Sequence, residues 1–441
     1  MAEGIQKHPK NPVFHVLRGR NELEHRRMRS AISSFEEALK VDPSFEEAWV
    51  LLAKCLASEG RLAEASERLR DGLSKTNQAA GLLLALAQLQ KDSHDMVNAE
   101  TTLRQAVSKD PGNALALQDL GLIVAGQGRM EEAVKILSDL DARRQLDREG
   151  VLGYARALMV LRQPGQAREV LQRVHDAQAE DWDVAAELGR ALYESGQDKE
   201  AETVLRKVIQ MRPSHHTSFY YLGRLFTGRG DRERARDAFE NAIKADSRDP
   251  LARIELARLL LETKDVESTR LAKNQLDAVL GAYSRNEVAE EERDPDAYLM
   301  HGRILFDEQK YSLAMKDFEA ALARAPTRTD IMVGFARSLF ESARYDDAKP
   351  YLRQVLSRDS QHPEANFLMG RILVREGKSR QAREHLEKVV QRDPRSFPEA
   401  HRLLGMIYRD EGLAVMARSS FPAYLKHADP KSAEAEEIRQ R

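Results

Sequence analysis

The sequence has little of the chemistry on which many proteins depend. Cys55 is the only cysteine among 441 residues, which excludes a disulfide framework and a cluster of thiolate metal ligands. No apolar run approaches the roughly 18 residues that cross a bilayer, and the N-terminal residues MAEGIQKHPKNP contain no apolar signal core. We therefore expect a soluble, cytoplasmic protein, or a periplasmic one if a signal upstream of Met1 has been removed.

The chain also lacks an excess of charge of either sign. Its 69 lysines and arginines nearly balance its 71 aspartates and glutamates, which leaves a formal net charge of -2. A nucleic-acid-binding surface needs one basic face that displaces counterions. We therefore expect no nucleic-acid partner and no insertion into a membrane, although a local groove can still carry charge.

Sequence signals for catalysis are missing or have the wrong spacing. Residues 376–379, EGKS, end like a phosphate-binding loop, but the required earlier glycine would fall at Ile372. His215 and His216 are adjacent and so cannot share a helical face as metal-ligating pairs do. Cys55 lies within an apolar segment, where we expect a buried and inert thiol. We predict that the chain is not an enzyme and that it uses neither a metal nor a cofactor.

What the sequence does contain is one unit that is repeated from end to end. The clearest copy is residues 181–213, DWDVAAELGRALYESGQDKEAETVLRKVIQMRP. An apolar run with the small Gly189 is followed by a turn at Gly196, a second apolar run with Ala201, and a stop at Pro213. This order predicts a helix, a turn, a second helix and a stop. A fixed period of this length is typical of repeat architectures, so we interpret the chain as one solenoid rather than as several globular domains.

Three positions of the unit keep their residue type in all copies. The first helix carries a glycine or an alanine, in most cases 34 residues after the previous one: Gly19, Ala53, Ala87, Gly121, Ala155, Gly189, Gly223, Ala257, Gly302, Ala336, Gly370, Gly405. The second helix carries an alanine: Ala31, Ala65, Ala99, Ala133, Ala167, Ala201, Ala235, Ala272, Ala314, Ala348, Ala382, Ala417. A large apolar residue follows that alanine by four positions: Phe35, Leu69, Leu103, Leu137, Leu171, Leu205, Phe239, Leu276, Phe318, Leu352, Leu386, Phe421. Because two helices pack closely only where Cβ is small or absent, we expect close helix contacts at the small residues and a buried face at the large ones.

These residues resemble the tetratricopeptide repeat family. The resemblance rests on an early large residue such as Trp49 or Tyr298, on Leu-Gly or Leu-Ala in the first helix, on the alanine of the second helix, and on closing prolines such as Pro43 and Pro213. It covers about twelve repeats. It implies an all-α fold, namely an α-solenoid in which tandem helix-turn-helix repeats form a right-handed superhelix. It also implies that the first helices line a concave groove that binds peptides or partner proteins.

The repeats predict how the chain is organised. Residues 1–11 match the end of a second helix without a first one, which indicates that the chain was cut from a longer protein. We place repeats 1–8 at residues 12–283 and repeats 9–12 at residues 295–430. The acidic insertion 284–294 between them is either a solvated loop or a hinge or docking loop. Residues 431–441 are predicted to form a polar helical tail that caps the last repeat.

The family geometry implies that the residue after the small one of the first helix lies on the wall of the groove. From the fifth to the eleventh repeat this residue is an arginine, and we call these residues the arginine ladder: Arg156, Arg190, Arg224, Arg258, Arg303, Arg337, Arg371. Their forked donors suit carboxylates or phosphates. Alternatively, acidic residues one turn later, such as Glu194 and Glu341, form intrahelical ion pairs that neutralise the ladder. Arg224 and Arg371 have no acidic residue at that spacing, so we expect them to be unpaired and to be the better candidates.

A second line of mostly apolar residues stands four positions before the ladder: Val16, Val50, Leu84, Gln118, Leu152, Ala186, Tyr220, Ile254, Leu299, Val333, Phe367, Arg402. Family members that clamp chaperone C-termini carry lysine on this line and asparagine at the ladder position, so we do not expect that specificity here. The apolar line either packs between neighbouring first helices or anchors a partner. Tyr220 and Phe367 are large and stand beside Arg224 and Arg371, which makes them the predicted hot spots.

We therefore expect a non-catalytic scaffold that binds a peptide or a helical segment of a partner protein in its groove, through apolar anchors with acidic flanks. Two alternatives stay open. One is that the repeats are the targeting arm of an enzyme whose catalytic domain lies outside this chain. The other is a bacterial envelope scaffold for pilus assembly, secretion or polysaccharide export. Self-association through exposed ends of the array is a further open alternative.

Overall fold

The computed structural model describes residues 10–429 and 433–440. The predicted remnant of an upstream repeat falls largely outside these residues. The described residues form helices joined by turns, with no β-strand among them, as the all-α class predicts. They divide into two compact units, of which the first ends at Leu225 and the second starts at Phe226.

Helix pairs follow one another along each unit, and each pair is one predicted repeat. The helices that begin in the first unit are α1 (Pro12–Glu24), α2 (Met28–Val41), α3 (Glu46–Ser58), α4 (Leu62–Lys75), α5 (Ala80–Asp92), α6 (Met96–Lys109), α7 (Ala114–Gly126), α8 (Met130–Ala142), α9 (Arg148–Val160), α10 (Pro164–Ala177), α11 (Trp182–Glu194), α12 (Asp198–Met211) and α13 (His216–Gly228). The later helices are α14 (Arg232–Ala245), α15 (Pro250–Leu261), α16 (Val266–Ser284), α17 (Pro295–Asp307), α18 (Tyr311–Arg324), α19 (Thr329–Glu341), α20 (Tyr345–Arg358), α21 (Pro363–Arg375), α22 (Ser379–Arg392), α23 (Pro398–Asp410), α24 (Ala414–His427) and α25 (Ala433–Gln440). The predicted solenoid of tandem helix-turn-helix repeats is therefore confirmed within each unit.

Local sequence determines where many of these helices begin. The side chains of Asn113, Asp147 and Asp181 accept hydrogen bonds from backbone N–H groups in the first turns of α7, α9 and α11. Such caps satisfy donors that have no partner within the helix. Pro250 and Pro295 stand at the start of α15 and α17, where a missing N–H costs nothing and the fixed φ suits the helix. First helices therefore start at defined residues, and this fixes the register of the side chains along them.

The turn inside each repeat contains a residue in the left-handed conformation, seven positions after the small residue of the first helix. Six repeats place glycine there: Gly60, Gly128, Gly196, Gly230, Gly377, Gly412. The other six place a residue with a side chain there: Arg26, His94, Arg162, Lys264, Gln309, Ala343. Left-handed backbone strains residues that have a Cβ atom, so these six turns are less favourable than the glycine turns.

The small and large residues meet as the sequence predicts. A Cβ atom built on Gly189 would lie 2.5 Å from Cδ2 of Leu205, and one on Gly370 would lie 2.7 Å from Cγ of Leu386. All twelve second-helix alanines are buried, as are the large residues that follow them in repeats 1–11. Phe421 of the last repeat is half-buried. The close approach of the two helices in a repeat therefore depends on the missing or minimal side chain of the first helix.

First helices of successive repeats also contact one another directly. These contacts join α3 to α5, α7 to α9 and α9 to α11 in the first unit, and α15 to α17, α17 to α19 and α19 to α21 in the second. Second helices pack on the first helix of their own repeat and on that of the next, as α10 does with α9 and α11. The first helices thus stand side by side, and we call this line of helices in each unit the wall.

Repeat 8 departs from the regular pattern, and its extra residues make contacts of their own. Helix α16 has 19 residues, and the segment that follows it contains a short 3-10 turn, Glu290–Glu292. The Arg293 side chain donates hydrogen bonds to the Asn286 side chain at 2.6 Å and to the Val288 carbonyl at 3.2 Å. The backbone N–H of Asp294 donates to the Tyr283 hydroxyl at 3.1 Å. A hinge or docking role for this segment stays a prediction, as do the block boundaries and the capping role of residues 431–441, of which α25 contacts α24.

Candidate functional site

The arginine ladder lies on the wall, one arginine on each first helix from α9 to α21. Its side chains range in exposure from 29% for Arg371 to 57% for Arg156. Successive members stand on first helices that contact one another in each unit. The ladder is therefore reachable from outside, although none of its members extends fully into solvent.

Each ladder arginine faces at least one carboxylate. The pairs are Arg156 with Glu187 at 2.7 Å, Arg190 with Glu187 at 3.7 Å, Arg224 with Glu194 at 3.6 Å, Arg258 with Asp296 at 2.8 Å, Arg303 with Asp330 at 4.0 Å, Arg337 with Glu364 at 3.7 Å, and Arg371 with Glu341 at 3.4 Å. Of these seven pairs, those of Arg156 and Arg258 have the length of strong charge-assisted hydrogen bonds. The other five pairs are longer, from 3.4 Å for Arg371 to 4.0 Å for Arg303.

The predicted intrahelical pairing is wrong for the carboxylates that stand one turn after the ladder. Glu194 faces Arg224 and Glu341 faces Arg371, each on the next first helix. The expectation that Arg224 and Arg371 are unpaired is therefore also wrong. An arginine followed by glutamate at i, i+4 is the weaker of the two orders on a helix, whereas directly contacting first helices bring side chains of neighbouring repeats together. These ion pairs consequently tie repeat to repeat.

A second set of carboxylates, which was not predicted from the sequence, stands at the starts of first helices. Asp296, Asp330 and Glu364 each stand seven residues before a ladder arginine, and each faces the ladder arginine of the preceding repeat. Burial alone would raise the pKa of Asp296, but hydrogen bonds from Arg258 and Arg328 lower it below the usual value for aspartate. The signal was present in the sequence as an acidic residue that recurs 34 positions apart in these repeats.

Aromatic rings that the sequence analysis also missed support three ladder arginines. The guanidinium of Arg337 lies 4.2 Å from the centre of the Phe306 ring, and that of Arg371 lies 4.3 Å from the Phe340 ring. The guanidinium of Arg224 lies 5.1 Å from the centre of the Tyr193 ring. Each ring stands three residues after the ladder position of the preceding repeat. Such cation–π contacts fix the guanidinium plane across the junction between repeats.

The apolar line four positions before the ladder is mostly packed inside the wall. It is buried at Leu152, Ile254, Leu299 and Val333, so the packing alternative describes it better than an exposed stripe of anchors does. The reason is that neighbouring first helices touch directly and enclose the side chains that lie between them.

The two predicted hot spots differ in accessibility. Tyr220 is only 9% exposed and packs edge-on against Tyr221 with ring centres 5.1 Å apart. It therefore has little surface left for a partner. Phe367 is half-buried, 5.1 Å from the Phe397 ring, with the Arg371 guanidinium 5.5 Å from its centre. Phe367 keeps part of its ring available for a partner, and Tyr220 supports the wall beneath Arg224.

Two open clefts lie on the wall. One has a volume of about 250 Å³ in the second unit and is lined by Arg303, Phe306, Asp307, Asp330, Arg337, His362 and Glu364, among others. The other has a volume of about 520 Å³ between repeats 5 and 6 of the first unit and is lined by Met159, Val160, Arg162, Pro164, Arg190 and Glu194. The first cleft contains more carboxylates than arginines, and the second contains more arginines than carboxylates.

The predictions about the lone cysteine, a metal site and a membrane span concern other parts of the chain. Burial and the nearby Glu59 raise the pKa of the Cys55 thiol to about 11, and the side chain, on α3, is buried, so the predicted burial of the thiol is confirmed. No group of three or more histidine, cysteine, aspartate or glutamate side chains within residues 10–429 and 433–440 could hold a metal ion. Across the same residues, none of the helices has both the length and the apolar character needed to cross a membrane.

Comparisons with known proteins agree with this architecture. Sequence profiles described as tetratricopeptide repeat match residues 22–89, 90–157, 158–218, 220–268, 305–350 and 339–407, which together make up more than half of the chain. The chain is similar to TPR repeat-containing protein YpiA of Bacillus subtilis, with 23% identity over 184 residues, or 42% of this chain and 44% of that protein. It is also similar to TPR repeat-containing protein PA4667 of Pseudomonas aeruginosa, with 22% identity over 44% of this chain and 28% of that protein.

The chain thus spans less than half the length of these relatives. Among solved structures, the Cut9–Hcn1 hetero-tetramer of the APC/C is similar with a TM-score of 0.44 and 12% identity, over 98% of this chain and 96% of that one. The repeat register, the helix pairs and the profile matches lead to one conclusion: the chain belongs to the tetratricopeptide repeat family.

Proposed function

We propose that this chain is a non-catalytic scaffold that binds a peptide or helical segment of a partner protein on its wall of first helices. Tetratricopeptide repeat proteins generally mediate protein–protein interaction, because stacked helix pairs present an extended surface. The observation that carries the proposal is the arginine ladder, whose guanidinium groups are partly exposed on adjacent helices. No other series of one residue type recurs on the exposed side of the described first helices over so many repeats.

The loose ion pairs of the ladder support binding of acidic flanks. Contacts such as Arg303 with Asp330 at 4.0 Å and Arg337 with Glu364 at 3.7 Å leave much of the guanidinium donor capacity unused. A partner carboxylate that approaches with two-pronged geometry makes shorter and stronger hydrogen bonds. The wall therefore holds arginines in position through intramolecular carboxylates that a ligand displaces.

The wall offers few exposed apolar residues to a partner, because most of the apolar line is buried. Phe367 offers part of its ring, and Val160 is 55% exposed beside the ladder. We therefore expect bound segments with one or two apolar residues among several acidic ones, rather than an amphipathic helix with a continuous apolar face.

Selection from a random peptide library displayed on phage tests this proposal. The intact chain serves as bait, and affinities of selected peptides are measured by fluorescence polarisation. Replacing Arg190, Arg224, Arg337 and Arg371 by glutamate should weaken the affinity of selected peptides by at least about tenfold, since several charge-assisted contacts are lost.

Exposed arginines on second helices provide the matched control. Arg353→Glu, Arg380→Glu and Arg392→Glu change a similar amount of charge on α20 and α22 and should leave affinity within about twofold. Circular dichroism checks that both sets stay helical. Selected peptides that bind the ladder variant and the control variant equally well would contradict the wall as the binding surface.

A further inference from the structure

The cleft between repeats 5 and 6 combines unused positive charge with exposed apolar surface. It is lined by α9, by the turn that follows α9, by the first residue of α10, and by α11. Arg162 and Arg190 contribute the charge, and Val160 contributes the apolar surface. The cleft of the second unit, by contrast, contains more carboxylates than arginines.

The arginines of this cleft have unusually few partners. Arg162 is exposed and forms no ion pair with any residue that the structure describes. The Nε atom of Arg190 is buried and has no hydrogen-bond partner among residues 10–429 and 433–440. Its nearest carboxylate is Glu187, at 3.7 Å, and Glu187 is already held by Arg156 at 2.7 Å. The Arg190 side chain is 34% exposed, and a buried donor without a partner is costly, so a shift of the guanidinium toward an incoming acceptor would be favourable.

The charge balance points to an anionic ligand at this cleft rather than at the cleft of the second unit. The cleft of the first unit has two arginines and one carboxylate, that of Glu194, which already faces Arg224 at 3.6 Å. The cleft of the second unit sets Arg303 and Arg337 against three carboxylates. A further carboxylate would have to displace one of those three, whereas it would restore neutrality between repeats 5 and 6 without displacing any.

The apolar part of the cleft adds a second constraint on the ligand. Val160 is 55% exposed, whereas the preceding residue, Met159, is buried. An aliphatic side chain placed against Val160 would bury apolar area on both partners. A ligand that satisfies the whole cleft therefore carries a carboxylate next to an aliphatic group.

The backbone at Arg162 allows a clean substitution. Its φ of 58° is left-handed, at a turn position where six repeats have glycine and six, this one included, have a residue with a side chain. Glycine can therefore replace Arg162 without straining the backbone.

We infer that this cleft binds an acidic side chain within an internal segment of the partner, next to an aliphatic residue that packs on Val160. Arg162 and Arg190 hold the carboxylate in a two-pronged arrangement, while Glu187 stays bound to Arg156 by its shorter hydrogen bond. The inference rests on the proposed function, because it names the chemistry that one part of the wall recognises.

Two capped peptides test the inference on the intact chain. One is an acetylated, amidated, fluorescein-labelled peptide with two leucine–glutamate pairs set among serines and glycines, and the other has glutamine in place of glutamate. Fluorescence polarisation should show at least about tenfold tighter binding of the glutamate peptide, since a charged acceptor forms the stronger hydrogen bonds with arginine. This preference should shrink by at least about tenfold in Arg162→Gly and in Arg190→Gln.

Stability separates loss of binding from loss of folding. Glycine suits the left-handed turn, so Arg162→Gly should keep or raise the melting temperature while it weakens binding. Gln309→Gly, which makes the same backbone change at the corresponding turn of repeat 9, should leave peptide binding unchanged. Arg162→Gly and Gln309→Gly therefore have similar effects on the backbone, but only the first removes an arginine.

The outcomes also separate this inference from the proposed function. Equal binding of the glutamate and glutamine peptides would overturn the inference. So would binding that needs a free C-terminal carboxylate, or binding that is lost in Arg303→Glu with Arg337→Glu but kept in Arg162→Gly and Arg190→Gln. In the last case the proposed function stands. It fails instead if phage-selected peptides are insensitive to every wall substitution.

Discussion

The walls of repeats 5–6 and of repeats 9–11 use the same arginine position for different purposes. In repeats 9–11, Arg337 and Arg371 stack on phenylalanine rings and face carboxylates of neighbouring repeats. In repeats 5–6, Arg162 and Arg190 exceed the carboxylates around them and stand beside exposed apolar surface. The ladder position thus joins repeats at Arg337 and Arg371, whereas at Arg190 it keeps donor capacity for a ligand. A regular series of one residue type in a repeat protein need not have one role along its whole length.

The largest expected loss of stability comes from truncating buried core residues. It tests whether the cores of the two regions are packed in the same way. Leu205→Ala in repeat 6 and Leu386→Ala in repeat 11 each remove a fully buried side chain that packs on a glycine. Each should lower the free energy of unfolding by about 2–5 kcal/mol. Urea unfolding followed by circular dichroism measures the loss, and Leu313→Ala, at a position that is 48% exposed, is the control. A large loss in only one of the two units would show that the difference between the walls extends into the core.

The next effect concerns a repeat-to-repeat ion pair of the second unit. Asp296→Asn leaves Arg258 and Arg328 without their shared carboxylate. It should lower the free energy of unfolding by about 1–2 kcal/mol, less than the loss of a fully buried pair because water still screens the site. Urea unfolding measures the change. Asp346→Asn, at a carboxylate whose side chain is 95% exposed, is the control, and equal losses in the two variants would contradict a structural role for Asp296.

The stabilising effect of Asp296 should also depend on pH. Because the folded chain lowers the pKa of Asp296, its stabilising contribution is fully present above the ordinary aspartate pKa of about 4 and is lost as the pH falls through the lowered value. The difference in unfolding free energy between the wild-type chain and Asp296→Asn should therefore be constant from pH 7 to pH 5 and should narrow below pH 4. A difference that grows on acidification would contradict the ion pair.

A smaller effect comes from the aromatic supports that are present in repeats 9–11. Phe306→Leu keeps an apolar side chain but removes the ring beneath Arg337. A double-mutant cycle with Arg337→Gln should give a coupling free energy of about 0.5–1 kcal/mol. The corresponding cycle between Phe306 and Arg353, on second helix α20, should give none. Coupling of similar size in both cycles would mean that the ring does not act through the guanidinium.

The smallest expected effect is an increase in stability. Gly126 ends α7 in open space, since a Cβ atom built on it would meet nothing within 4 Å. Gly126→Ala should therefore stabilise the first unit by up to about 1 kcal/mol through reduced backbone freedom in the unfolded chain. Gly189→Ala should destabilise the same unit, because the added Cβ would lie 2.5 Å from Leu205. Thermal unfolding of the two variants compares a glycine required by packing with one that is not.

The repetitive interior could be predicted from the sequence because one physical requirement recurs at a fixed period. The contact of Gly189 with Leu205, and that of Gly370 with Leu386, follow from the need for close helix approach. The burial of Cys55 follows from its apolar neighbours. These features depend only on residues within one repeat, so a single chain contains enough copies to reveal them.

The chemistry of the wall could not be predicted in the same way. Arg371 pairs with Glu341 of the preceding repeat, and that choice depends on how two first helices are placed and on which side-chain conformations reach across. Tyr220 is buried for a similar reason, because the neighbouring helices enclose it. The recurrence of acidic residues seven positions before the ladder was the one sequence signal that pointed toward pairing between repeats.

The enclosed thiol of Cys55 has a practical consequence for studying this chain. With its pKa raised to about 11, it is almost entirely protonated at neutral pH and reacts slowly with alkylating reagents. A new cysteine at Gln309 or Ala343, both exposed turn residues, would then be the main site of modification in an otherwise native background. A fluorophore at either turn would report events at one chosen repeat, so the chain can be followed repeat by repeat while a partner binds.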